Sequence, residues 1–131
     1  MNIKEIMTER VVTVEMDDPL SIVKEVFDNC QFHHLLVVNH EILSGVVSDR
    51  DLLRVISPYL GTLAENRRDT QTLSQRVHKI MTRKPVTLDV TASVADAIDV
   101  FNTERISCIP IVDDAGKPIG IVSWRDVMKV L

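Results

Sequence analysis

Apolar residues follow two different spacings along this chain, and the two alternate in a fixed order. Short β-prone pieces come first, at residues 11–14 and 86–88. After each, apolar side chains recur on one face of a helix. In the first case they are Leu20, Val23, Val26 and Phe27; in the second, Val94, Ala97, Ile98 and Phe101, at i, i+3, i+4 and i+7. Asp18-Pro19 reads as the start of the first helix, with Asp at the cap and Pro in the first turn. Two buried strands follow in each case, at 35–38 and 42–48 and again at 109–112 and 119–123. Asn39-His40-Glu41 and Asp113-Asp114-Ala115-Gly116 are the turns between them. A last helix runs over about 49–56 and 124–131. The predicted order is β-α-β-β-α, twice, which is a mixed α/β (α+β) chain.

The two runs are copies of one unit of about 55 residues. At an offset of 74, Ile6-Met7-Thr8 falls on Ile80-Met81-Thr82, Val12-Thr13 on Val86-Thr87, Val26-Phe27 on Val100-Phe101, and Val38 on Val112. One insertion near Gly116 makes the offset 75. Gly45-Val46-Val47-Ser48-Asp49-Arg50-Asp51 then falls on Gly120-Ile121-Val122-Ser123-Trp124-Arg125-Asp126. The halves are residues 1–56 and 77–131. The linker is 57–76, which holds Pro58, Gly61 and the polar run Glu65-Asn66-Arg67-Arg68-Asp69, and is expected to turn helical from Thr72.

Composition narrows the class. Of 131 residues 45% are hydrophobic and 26% charged, with both signs interspersed, which is ordinary globular composition. A net charge of −4 leaves no broad basic face for nucleic acid. No apolar run approaches the roughly 20 residues that span a bilayer, and no apolar h-region follows Met1. A cytoplasmic location without membrane association is therefore expected. Cys30 and Cys108 show neither metal-ligand nor disulfide-framework spacing. The four histidines are not placed with carboxylates at metal-ligand spacing, and no Ser-His-Asp or Cys-His grouping stands out, so neither a metal nor an enzymatic activity is expected. The last helices are unusual. Leu52, Leu53, Val55 and Ile56, and Val127, Met128, Val130 and Leu131, are interrupted only by Arg54 and Lys129. Apolar residues over most of a helix circumference call for burial against more than one sheet, by the other half or by a second chain.

The order β-α-β-β-α, the opening Ile-Met-Thr, and the closing Gly-h-h-Ser-x-x-Asp (h apolar) resemble the CBS motif. Ile109-Pro110-Ile111-Val112-Asp113 looks like that family's central strand. Two motifs in tandem resemble a Bateman module, and Gly-Val-Val-Ser-Asp-Arg-Asp-Leu is similar to small stand-alone AcuB-like CBS proteins. The resemblance spans nearly all of the chain except the linker. It implies two motifs related by a pseudo-twofold axis, with two clefts between them. It further implies a regulatory module that needs no cofactor for catalysis and binds an adenine nucleotide (AMP, ADP or ATP) or an adenosyl compound such as S-adenosylmethionine. Many members are homodimers. Others bind no known ligand and act as packing modules, so docking on an unidentified protein partner is the alternative.

The resemblance also implies site residues. The hydroxyl and carboxylate of Ser48 and Asp51, and of Ser123 and Asp126, match those that hold a ribose. The chemistry suits them, because a carboxylate accepts two hydrogen bonds and a 2′,3′-diol donates two. The same Ser-x-x-Asp spacing is close to that of a capping box, in which both side chains satisfy backbone N–H groups, and both readings stand. His33 and His34 in the first half and Ser107 in the second match positions that reach phosphates. Adjacent strand residues project to opposite faces, so at most one histidine faces a given cleft. Thr8 and Val11 in the first half, and Thr82 and Pro85 in the second, match the adenine slot; Val11 and Pro85 equally suit a core. Leu36 stands where the family has Pro, as at Pro110. The single tryptophan, Trp124, either lines a cleft or covers a dimer contact.

Overall fold

The computed structural model describes all 131 residues. Its elements follow the expected order twice, with one strand, Thr82–Arg83, added at the head of the second set. The first set is β1 (Thr13–Glu15), α1 (Leu20–Asn29), β2 (His34–Asn39), β3 (Ile42–Ser48) and α2 (Asp49–Leu53). The linker carries α3 (Arg67–Gln71), followed by a 3-10 turn at Thr72–Ser74. The second set is β4 (Thr82–Arg83), β5 (Leu88–Asp89), α4 (Val94–Thr103), β6 (Cys108–Val112), β7 (Pro118–Ser123) and α5 (Trp124–Met128). Further 3-10 turns, Ile3–Glu5 and Val77–Lys79, precede each set. The strands form one sheet in the order β1-β2-β3-β4 and another in the order β5-β6-β7.

The compact units cut across the repeats. One contains residues 1–12, 41–43 and 84–131; the other contains 13–40 and 44–83. The opening segment of each repeat therefore belongs to the unit built from the body of the other. In the first unit Ile3 is fully buried in one cluster with Ala97, Phe101, Ile109, Ile111, Val122 and Val127, and Met7 packs against that cluster. The Ile3 backbone N–H donates to Ala92 O at 2.9 Å, and Thr8 exchanges two backbone hydrogen bonds with Ile121 of β7, at 2.9 and 3.0 Å. In the second unit the equivalent pieces behave alike. Val77 is fully buried and Thr82 of β4 pairs antiparallel with Val46 of β3. Within each sheet the first strand runs parallel to the central one, β1 to β2 and β5 to β6. The α-helix between them makes that crossover feasible.

A glycine at each of these pairings lets the opening segment approach. A Cβ on Gly45 would lie 2.6 Å from Met81 Sδ and 2.8 Å from the Thr82 carbonyl oxygen. One on Gly120 would lie 2.6 Å from Met7 Sδ. The recurring Ile-Met-Thr and Gly-h-h-Ser stretches are thus two sides of one contact.

Three sequence expectations need correction. Asp18 does not cap α1. Its carboxylate accepts from Glu15 N at 2.8 Å and closes the turn after β1, Pro19 is the N-cap residue, and the Leu20 N–H donates to Gln75 O. Ser93 stands where Pro19 does and caps α4 through a capping box with Asp96. The last helices are shorter than expected: α2 stops at Leu53 and α5 at Met128, where i→i−3 bonds such as Val55 N–Leu52 O and Val130 N–Val127 O tighten the final turn. The linker turns helical at Arg67 rather than Thr72, because Asn66 and Asp69 form a capping box there. Asp69 is buried, and Ser57 Oγ donates to its other oxygen at 2.6 Å, tying the start of the linker to α3.

Candidate functional site

The structure distributes the candidate residues between the two units. Thr8, Val11, Pro85, Ser107, Ser123 and Asp126 lie in the first, and His33, His34, Ser48, Asp51 and Thr82 in the second. The adenine-slot threonines have changed places relative to the repeats. Thr8 of the first repeat lies opposite Ile121, two residues before Ser123, and Thr82 of the second lies opposite Val46, two residues before Ser48. Residues two apart on a strand share a face. Each strand-to-helix corner is therefore built from both repeats.

The corners themselves are alike. In the second unit Ser48 N donates to Asp51 Oδ2 at 2.9 Å, and Asp51 N donates to Ser48 Oγ at 3.1 Å. In the first, Ser123 N donates to Asp126 Oδ2 at 2.8 Å, Ser123 Oγ donates to the same oxygen at 3.1 Å, and Asp126 N donates to Ser123 Oγ at 3.3 Å. These are capping boxes. They commit one oxygen of each carboxylate, while Oδ1 of Asp51 and of Asp126 accepts no hydrogen bond from the protein. All four residues are half-buried. The residue that precedes the central strand is tied to each corner by an equivalent bond: Asp49 N donates to His33 O at 3.0 Å, and Trp124 N to Ser107 O at 3.3 Å.

Side chains around the corners differ. His33 Nδ1 lies 3.0 Å from Asp49 Oδ2, and this hydrogen bond holds the Asp49 carboxyl below the usual carboxylate range. His34 begins β2, where burial lowers its pKa. In the first unit Trp124 takes the position of Asp49 and stacks on Phe101, with ring centroids 4.7 Å apart and planes at 28°. This covers one face of the indole, which is otherwise 36% exposed. Val11 and Pro85 are half-buried, and Thr8 and Thr82 are exposed. Sequence reasoning missed Asp49 and Phe101, because each acts through a partner that only the fold brings alongside.

No helix is long and apolar enough to cross a membrane. Residues 3–58 and 77–131 each match the family model described as CBS domain. The chain is 29% identical, over 98% of its length and 90% of the relative's, to a CBS domain-containing protein of Dictyostelium discoideum. Among solved structures, it resembles the CBS domain of a CBS domain-containing membrane protein from Sphaerobacter thermophilus, with a TM-score of 0.87 and 30% identity over all of this chain and 88% of that one. It also resembles CBSX2, solved in complex with AMP, with a TM-score of 0.79 and 25% identity over 98% of this chain and 94% of that one.

Proposed function

Because this chain belongs to the CBS domain family, we propose that it is a regulatory, non-catalytic module that binds an adenine nucleotide or a related adenosyl compound at its two strand-to-helix corners. The motifs are taken as residues 1–56 and 77–131, joined by 57–76. The observation that carries the reading is the recurrence of one corner in both units, each with a carboxylate oxygen left open beside a serine hydroxyl. An open carboxylate oxygen at a half-buried corner suits a ribose diol, since charge-assisted bonds are stronger than neutral ones. The resemblance to CBSX2, whose structure holds AMP, supports the same ligand class. On this reading Thr8 and Val11 serve the Ser123–Asp126 corner together with Ser107, and Thr82 serves the Ser48–Asp51 corner together with His33 or His34. Pro85 lies in the same unit as Ser123.

A thermal-shift panel of AMP, ADP, ATP and S-adenosylmethionine identifies the class, because a ligand that binds only the folded chain raises its melting temperature. Isothermal titration of the compound that stabilises then tests the corners. Asp126→Ala and Asp51→Ala should each remove one binding event, at a cost of roughly 1.5–3 kcal/mol, or about ten- to a hundredfold in affinity. Lower melting temperatures with unchanged affinity in both variants would return these four residues to helix capping alone.

A second reading has its own observation. Leu53, Met128 and Leu131 are 69%, 62% and 78% exposed on or just after α2 and α5. Such apolar surface suits an interface, which we assign to a homodimer. A flat thermal-shift panel with a dimer present would favour a ligand-free interaction module.

A further inference from the structure

The two opening segments dock in the same manner but not equally firmly. Residues 1–9 and 75–83 are equivalent at an offset of 74, and each completes the body of one unit. Val77 and Met81 are both buried in the second unit, whereas Ile3 is the one buried residue of 1–9. His78 N donates to Met16 O at 3.0 Å, outside its own segment. The equivalent Lys4 N donates to Asn2 Oδ1 at 2.8 Å, inside it. Thr82 and Arg83 form β4, paired with Val46 and Gly45, whereas Thr8 makes an isolated bridge to Ile121. Backbone approaches closely in the second unit, where a Cβ on Gly45 would meet Thr82 O at 2.8 Å. In the first, the atoms nearest to such a Cβ on Gly120 are all of the Met7 side chain.

The connections differ as well. Residues 75–83 follow 44–74 of their own unit directly, whereas 1–12 reach the body of theirs, 84–131, only through 13–83. Ile3 and the backbone bonds of Met1, Ile3 and Thr8 hold the first segment in place. Its release withdraws one buried side chain from the cluster and leaves the pairing of β5, β6 and β7 intact. Segments with few buried apolar contacts open at lower free energy than the core around them. Release also changes the Ser123–Asp126 corner. Residues opposite each other in a bridge share a face, as do residues two apart on a strand, so Thr8, Ile121 and Ser123 project together. The exposed Thr8 leaves that face with its segment.

On the nucleoside reading above, on which this inference rests, we propose that residues 1–12 are a releasable strap that governs the Ser123–Asp126 corner. The corner binds its adenosyl ligand with the strap docked, and the ligand in turn holds the strap. The Ser48–Asp51 corner is completed by the firmer segment and stays formed. The linkage is reciprocal, and the apparent affinity falls with the fraction of chains in which the strap is docked.

Hydrogen–deuterium exchange of the full chain, read by mass spectrometry, tests the strap first without ligand. Residues 1–12 should exchange on the order of tenfold faster than 75–83. AMP is the probe for the linkage. At about ten times its dissociation constant it should slow exchange of 1–12 by on the order of tenfold, an effect kept in Asp51→Asn and lost in Asp126→Asn. By isothermal titration, Ile3→Ala added to Asp51→Asn should weaken AMP by about tenfold, and added to Asp126→Asn should leave its affinity unchanged. Met7→Ala replaces Ile3→Ala if the latter fails to fold, and the exchange measurement on the unaltered chain needs neither. Equal exchange of the two segments in the free chain, or AMP bound at Ser123–Asp126 without slowing 1–12, overturns the strap and leaves the nucleoside reading intact. A chain that binds no AMP overturns this inference, and if ADP, ATP and S-adenosylmethionine also fail to bind, the nucleoside reading falls with it.

Discussion

Cys108 and Cys30 carry the same thiol in opposite surroundings. Cys108 starts the central strand β6 and is buried, and desolvation of the thiolate pushes its pKa up to about 12. Cys30 follows the last turn of α1 and is exposed. Because the thiolate is the reactive form, a chromogenic disulfide reagent at pH 8 should titrate one thiol per native chain and two in denaturant. Two rapidly reacting thiols in the native chain would mean that β6 opens locally. The serines and aspartates of the corners show the same dependence on surroundings. One oxygen of Asp126 closes a capping box, and the other is open, so capping and ligand contact are compatible roles for one side chain.

At the scale of elements, the contact between an opening segment and a closing strand is made twice with unequal tolerances. Beside Gly45 a new Cβ meets Met81 Sδ at 2.6 Å and the backbone oxygen of Thr82 at 2.8 Å. Beside Gly120 the three nearest atoms all belong to the Met7 side chain. A methionine has three rotatable bonds and moves aside cheaply, whereas a paired strand does not. Gly45→Ala should therefore cost about 1–3 kcal/mol, the range of overpacked cores, and Gly120→Ala distinctly less. Urea denaturation of both variants checks this, and equal losses would mean that β4 yields as easily as a side chain. The last helices show the other side of element economy. Leu52 and Val127 are buried within their own units, while Leu53 and Met128 beside them are exposed, so one chain uses only part of each apolar surface.

For the whole molecule, the exchange of opening segments makes each repeat incomplete. A fragment of residues 77–131 lacks Ile3, which is fully buried among α4, β6, β7 and α5, and lacks the partner of Ile121. It should show no cooperative melt by circular dichroism, and a synthetic peptide of residues 1–12 should restore structure to it. A stable melt of the fragment alone would show that the remaining core suffices, against the marginal burial expected of about 55 residues. The proposed homodimer gives a second expectation at this scale. Sedimentation at micromolar concentration should return about twice the 14.8 kDa chain mass, and Leu53→Asp with Met128→Asp should return the monomer. A wild-type chain that sediments as a monomer would leave those residues as scattered surface apolar groups.

Local patterns in the sequence determined a large share of this protein. The segment Ile42–Ser48 is β3 as read, although it is half-buried rather than buried: Gly45 and Val47 are buried while Ile42 is exposed, and its bounding turns mark its ends. The faces of α1 and α4 are legible because helical spacing places Leu20 with Val23, and Val94 with Ala97 and Phe101, and those are the buried residues. The Ser-x-x-Asp corners are legible because they are local and occur twice. The tertiary structure alone decided which opening segment joins which body. Ile6-Met7-Thr8 and Ile80-Met81-Thr82 are identical, so no local preference can tell one unit from the other, and the choice lies in hydrogen bonds such as Thr8 to Ile121 between residues far apart in the chain. The same holds for the His33–Asp49 contact and the Trp124–Phe101 stack: the partners belong to different elements, and only packing supplies the distance.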